Sequence, residues 1–146
     1  MGGERMTQLS VHPCFELFER EIMRFRGFAQ QRAGHDGPAL RRRRKRYHRS
    51  WPLEVAVYEN GSMQQYSAAL HDASEAGMGF MSDHVFEKDT IVYIKLFWHE
   101  ATALRIPAIV RHSNPGPDGA MVGVEFAIHD AGLCEASLHL EDSVSL

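Results

Sequence analysis

A chain of 146 residues with 44% apolar side chains can bury a real core, which excludes a disordered polymer and leaves one domain with an extension, or two very small units. Nineteen acids against sixteen Lys and Arg give a net charge of −3, but seven of those bases stand between Arg41 and Arg49, and without them nine bases face nineteen acids, or −10. An acidic protein with one dense cationic site suits a compact anionic ligand better than a nucleic-acid surface, where positive charge is usually spread over a face. Cys14 and Cys134 match no metal spacing and make no disulfide framework, so a reducing cytoplasm is the simplest compartment. Met1-Gly2-Gly3-Glu4-Arg5 leads into no signal-peptide apolar core. The longest apolar run, Ile91 to Trp98, is interrupted by Lys95 and is too short for membrane insertion.

In chain order, residues 13–32 read as a helix. Pro13 suits a first turn, and Phe15, Phe18, Ile22, Phe25 and Ala29 form one apolar stripe at spacings of three and four. The plain reading docks that stripe on the protein's own domain; the sharper one makes the helix a dimerisation or partner helix, and so leaves a homodimer open. Gly34-His35-Asp36-Gly37-Pro38 ends the helix and starts a linker. The basic stretch Arg41 to Arg49 follows without periodicity. From Trp51 the period becomes two, with Trp51, Leu53, Val55 and Val57 on one face. Asn60-Gly61 signals a type I′ hairpin turn. The return strand runs from about Met63 to His71, and a short strand, Met78 to Met81, follows the polar turn Asp72-Ala73-Ser74-Glu75-Ala76-Gly77. Thr90 to Trp98 and Ala103 to His112 read as longer strands, Asn114 to Gly119 as a loop, and Met121 to Ile128 as the last strand, with Val122, Val124, Phe126 and Ile128 on one face. The expected fold is mainly β, a six-stranded antiparallel barrel with an N-terminal helix and a short helical or irregular C-terminal tail. The expected units are 1–38, 39–130 and 131–146.

An antiparallel hairpin sets the start of its first strand beside the end of its second. Arg46 stands just before the first strand and Asp72 just after the second, so both should lie at one end of the barrel. Arg is a planar fork of donors suited to phosphate and to the O6/N7 edge of guanine. Asp72 can accept from guanine N1 and N2 or orient an Arg. Ser74 can bond phosphate or base, and Gly77 permits a sharp turn and a close approach. Together these groups suit a ligand carrying both phosphate and guanine.

Arg42-x-x-x-Arg46 followed by Asp72-x-Ser74-x-x-Gly77 resembles the two-part signature of PilZ domains. Trp51-Pro52-Leu53-Glu54-Val55 resembles that family's first strand, and Gly123-Val124-Glu125-Phe126 its last; the likeness covers about residues 40–130. The resemblance implies a six-stranded PilZ barrel that binds cyclic di-GMP, a bacterial second messenger, with no catalysis and no cofactor. It implies that Arg42 and Arg46 hold phosphates and guanine Hoogsteen edges, that Asp72 and Ser74 contact guanine, and that Gly77 shapes the turn. In the family, the residue before the first motif Arg influences whether one ligand or a stacked pair binds. Here that residue is Arg41, able to stack on a base and reach phosphate, which leans toward a pair.

Nine histidines are scattered singly, without i, i+4 or His-x-His spacing, and read as solvated or structural side chains rather than metal ligands. His48 and His71 border the expected site. Trp51 and Trp98 read as core, and Trp51 can also wall the pocket. No Gly-x-Ser-x-Gly elbow or spaced carboxylate pair supports an enzyme. The expected mechanism is a switch: ligand orders the arginine arm, which moves the N-terminal helix through residues 33–40 and alters the surface seen by an unidentified effector protein. Two other classes stay open, a nucleic-acid binder using the arm, which the acidic remainder disfavours, and a PilZ-like adaptor that binds no nucleotide, which the intact motif disfavours.

Overall fold

Asn60 and Gly61 both take positive φ, 54° and 84°, the pair that a type I′ turn requires and that only residues of their kind adopt cheaply. They join β1 (Pro52–Glu59) to β2 (Ser62–Ala73), which pair antiparallel from Glu59↔Ser62 to Pro52↔Ala69. The computed structural model describes residues 14–33, 51–101 and 103–140. Arg41, Arg42, Arg46, His48, the linker 34–38, Pro13 and the side chain of Ala29 lie outside the described residues.

Four further strands, β3 (Gly77–Ser82), β4 (Ile91–Lys95), β5 (Arg105–Gly116) and β6 (Gly119–Phe126), complete a closed antiparallel barrel in the order β1-β2-β3-β6-β5-β4. Closure pairs the two edges, β1 with β4. The period-two readings hold within the strands: Trp51, Leu53, Val55 and Val57 are all buried, as are Val122, Val124 and Phe126, while Ile128, expected on the same strand face, is buried from the turn after β6, which ends at Phe126. These faces meet Phe80, Ile94, Ile106 and Val110 in one core.

Four expectations are corrected. Trp98, expected in the core, is exposed, because β4 ends at Lys95 and the chain turns away before it. Asp72 lies inside β2 rather than after it, because a bulge between Leu70 and Asp72 lets the strand continue to Ala73. The expected loop Asn114 to Gly119 is mostly strand: Pro115 pairs with Ala120 and Gly116 with Gly119, leaving Pro117-Asp118 as the turn. The prolines are tolerated because this ribbon end is exposed. The strand expected over Thr90 to Trp98 stops at Lys95, where Glu100 N donates to Phe97 O and Ala103 N to Glu100 O, turning the chain.

The helix α1 (Phe15–Ala33) docks on the barrel. Phe18, Ile22 and Phe25 are buried in the barrel's own core cluster, with Phe15 packed against it. Each such side chain contributes about 1.5–3 kcal/mol through burial. Phe25 and Phe28 meet Trp51 at ring-centroid distances of 5.4 and 5.0 Å, and Arg24 lies 3.7 Å over the Phe97 ring while pairing with Glu100 at 2.8 Å. At the other end, α2 (Ala131–Leu138) is capped by Asp130, whose carboxylate accepts from Leu133 N at 3.0 Å. Buried Ser137 donates to the Arg105 carbonyl, and Leu140 covers Ala56 and Tyr93 on the outer wall.

Beside the β1–β2 turn, the Tyr66 hydroxyl donates to Glu59 at 2.7 Å and His84 Nε2 stands 3.0 Å from the other carboxylate oxygen. The Tyr66 hydrogen bond, with a smaller contribution from His84, holds the Glu59 carboxyl below its ordinary range despite partial burial. A carboxyl depressed on folding stabilises the native state fully above its unfolded value, about 4.3, and that contribution is lost as pH falls through the folded value. Wild type is therefore expected to lose more stability than Glu59→Gln between pH 6 and pH 3, read from urea midpoints. Equal losses would remove Glu59 from the acid response.

Candidate functional site

The first hairpin brings the chain into the barrel beside the far end of β2, where Leu70 N donates to the Trp51 carbonyl at 3.0 Å. The arginine arm is covalently joined at this point. Trp51 itself is core: its Nε1 donates to Leu96 O at 3.2 Å, and Phe25, Phe28 and Phe97 pack around it.

Two residues beyond Leu70, the bulge turns Asp72 to the outer wall opposite Gly79. A Cβ on Gly79 would stand 2.9 Å from Asp72 Oδ1. The carboxylate thus lies over that residue because it has no side chain. The other oxygen is 3.3 Å from His71 Nδ1, so His71 borders Asp72 as the sequence suggests.

Ser74 organises the polar turn. Its hydroxyl accepts from the amides of Ala76 and Gly77, both at 3.3 Å, while its own amide donates to Gly77 O at 2.8 Å. The hydroxyl thus closes the turn on the backbone of the residues that follow it. Gly77 opens β3 without a positive φ, so a sharp turn is not what demands glycine there. A Cβ at Gly77 would collide with the backbone carbonyl of Val124 on β6. The close approach is to the neighbouring strand.

On the far side a second bulge, between Val110 and His112, gives His112↔Gly123, and Gly123 pairs with Gly79. Asp72, Gly79, Gly123 and His112 therefore form one row across β2, β3, β6 and β5. A Cβ on Gly123 would collide with the distal half of the His112 imidazole. His71, Asp72, Gly79, Gly123 and His112 line a concavity of about 170 Å³. Sites that enclose a drug-sized ligand measure roughly 300–1,000 Å³, so this concavity by itself is smaller than such a site. Arg111, also on its rim, is held by Glu125 at 2.8 Å and Asp89 at 3.4 Å.

The hairpin argument expects Arg46 and Asp72 at one end of the barrel; Asp72, Ser74 and Gly77 lie together at one end of β2 and β3, and Arg46 lies outside the described residues. His112, Gly79 and Gly123 are not singled out by sequence reasoning; the available signal was two glycines inside strand patterns, which often mark a close approach. Among the described residues, no cluster of three or more His, Cys, Asp or Glu side chains could hold a metal ion, and no helix is long and apolar enough to cross a membrane.

A closed six-stranded barrel with a polar Asp-x-Ser-x-x-Gly turn joining β2 to β3, in a chain with an arginine-rich stretch preceding β1 in sequence, defines a recognisable class. The family model described as PilZ domain matches residues 40–138. The chain belongs to the PilZ domain family.

Among solved structures, it is similar to the PilZ domain of YcgR from Escherichia coli with c-di-GMP, at 12% identity and a TM-score of 0.46 over 71% of this chain and 91% of that one. It is similar to the Bacillus subtilis inhibitor of motility MotI/DgrA at 18% identity and 0.41, over 68% and 49%. It is also similar to K. pneumonia MrkH in its apo state at 14% identity and 0.42, over 70% and 52%. The chain thus spans nearly all of the first and about half the length of the other two. No curated protein matches.

Proposed function

We propose that this protein is a cyclic di-GMP receptor that acts by binding and not by catalysis. Arg42 and Arg46 hold the phosphates and the guanine Hoogsteen edges. Asp72 accepts from guanine N1 and N2, Ser74 contacts base or phosphate, and the Gly77 turn frames the site, with Arg41 able to stack between two ligands. The observation that carries the reading is the 3.0 Å bond from Leu70 to Trp51. It sets Trp51, which follows the arginine stretch in sequence, beside Leu70, two residues before Asp72, in a chain whose matched family region spans both, and so supports the reading.

The arm is the cationic half of this site and the outer wall of β2 and β3 is the acceptor half. Seven like charges repel, so ligand binding neutralises and orders the arm. The stretch precedes Trp51 in sequence and follows α1, and α1 rests on Trp51 through Phe25 and Phe28. Ordering the arm therefore loads α1 directly and changes the surface offered to an effector protein in the cytoplasm. Several charge-assisted hydrogen bonds at about 1.5–3 kcal/mol each, less the cost of ordering the arm, give submicromolar affinity.

Calorimetric titration tests this. Cyclic di-GMP is expected to bind, while GTP and cyclic di-AMP at the same concentrations are not. Amide exchange across residues 38–50 is expected to slow with ligand. Absence of heat with cyclic di-GMP would end the receptor reading, and unchanged exchange would end the switch.

A further inference from the structure

We propose that the open edge of β2 takes up an extended segment of a partner protein, a strand with a Lys or Arg at the end nearest Asp83. This surface is separate from the wall around Asp72, and the proposal does not depend on nucleotide binding. It follows from unequal strand lengths. β2 begins at Ser62, yet its pairing with β3 begins only at Ala68↔Ser82. Residues 62–67 are therefore paired on the β1 side alone. The two-residue turn makes Glu59↔Ser62 a hydrogen-bonded pair, so Ser62, Gln64 and Tyr66 turn their backbone groups to β1. The bond from Leu70 N to the Trp51 carbonyl keeps the same alternation. Met63 and Gln65 consequently turn their amides and carbonyls to the side where β3 has already ended. Among the described residues no ladder or turn bond meets them there.

That side is a groove. Gln65, Tyr66 and Ser67 form one bank and Ser82, Asp83 and His84 the other, around an open concavity of about 370 Å³. The far bank is held in place. The His84 ring stacks on Tyr66 at 3.9 Å, its Nε2 stands 3.0 Å from Glu59, and its amide donates to Ser82 Oγ at 3.0 Å. Met63 to Ser67 spans roughly 13 Å, the length of a short added strand, whose main-chain hydrogen bonds supply affinity. Open edges are normally blunted by Lys, Pro or a bulge. Ser62-Met63-Gln64-Gln65-Tyr66-Ser67 has no Lys or Pro, and the bulge of β2 lies beyond it, between Leu70 and Asp72. Charge selects the occupant. Asp83 is exposed, and among the described residues the ion pair of this rim joins only Glu59 and His84. β2 carries no Lys or Arg, so pairing two copies of β2 would bring Asp83 no cation, whereas a basic strand complements it.

The test is an NMR titration of the isotope-labelled full chain, without cyclic di-GMP. The probes are acetyl-Lys-Thr-Val-Thr-Val-amide, the same peptide with Glu in place of Lys, and a version with its amides N-methylated. With the Lys peptide, the amide signals of Met63 and Gln65 are expected to shift and their exchange to slow. The Glu peptide is expected to bind about fivefold more weakly, the upper range of one exposed ion pair, and the N-methylated one not at all. Asp83→Lys is expected to reverse the preference between Lys and Glu. Gln65→Pro removes an amide from the open edge and none from the β1 ladder, and is expected to bind at least about tenfold more weakly. Asp83→Lys, a change at an exposed side chain, decides the case if Gln65→Pro does not fold. No shift at Met63 and Gln65 with about 1 mM Lys peptide would overturn the proposal, as would unchanged binding in Asp83→Lys. A wild-type dimer in sedimentation that Gln65→Pro abolishes would assign the edge to a second copy and overturn it too. None of these outcomes touches the receptor reading, which cyclic di-GMP calorimetry decides separately.

Discussion

Arg46→Ala is expected to weaken cyclic di-GMP binding about 100-fold, and Arg42→Ala by a similar factor, with Arg44→Ala costing less than about fivefold. A guanidinium that grips phosphate and a guanine edge together makes at least two charge-assisted hydrogen bonds. At about 1.5–3 kcal/mol each, their loss amounts to two or more factors of ten. Neighbouring arginines replace part of the charge but not the spacing, so the loss stays below the full sum. The contrast with Arg44 is what decides. A nonspecific cationic arm would lose affinity equally at 42, 44 and 46, and that loss would fade together at high salt. A position-specific site separates 44 from the other two at every salt concentration. Equal losses at all three positions, read by calorimetry at 50 and 300 mM salt, would return the arm to general electrostatics.

Gly77→Ala is expected to destabilise the fold by about 3 kcal/mol whether or not ligand is present. The added Cβ would strike the Val124 carbonyl, with the Glu125 Cα 3.1 Å away. Both are backbone atoms, so no side chain can rotate aside, and β3 and β6 must separate where Gly77 pairs with Glu125. The neighbouring bond from Phe126 N to Ala76 O, 2.8 Å long, would be pulled with them. A loss of this size lowers the melting temperature by roughly 10 °C in a domain of this length. Gly27→Ala is the control of opposite sign. Nothing lies within 4 Å of a Cβ there, and alanine in place of a helical glycine stabilises by about 0.5–1 kcal/mol. Melting curves of the two variants check both directions; an unperturbed Gly77→Ala would return that glycine to a ligand role alone.

That second prediction shows where sequence reading stops. The Asp-x-Ser-x-x-Gly turn was legible as a motif, and the hairpin reading set the start of β1 beside the end of β2, where Leu70 N bonds the Trp51 carbonyl. The physical demand on Gly77 was not legible, because the atom that excludes a side chain belongs to Val124, far along the chain. Asp72 illustrates the same limit. An alternation count ends β2 at His71, since a bulge adds one residue and breaks the period without any composition signal. His112 passed for one more scattered histidine, because its row partners lie on β6, β3 and β2. The amphipathic stripe of α1 was readable, but its seat on Trp51 and Phe97 was not.

What the sequence determined alone was local: the Asn60-Gly61 turn, the alternating faces of β1 and β6, the helix stripe, and the concentration of positive charge before the first strand. These depend on neighbours a few residues apart, where backbone conformation and side-chain period leave a direct trace. The tertiary structure decided register. Closing six strands into a barrel fixed which residues stand opposite one another, and two bulges shifted Asp72 and His112 into line with Gly79 and Gly123. Strand pairing is non-local, and a shift of one residue exchanges the faces of a strand. The wall of the site therefore became visible only once every strand had its partner.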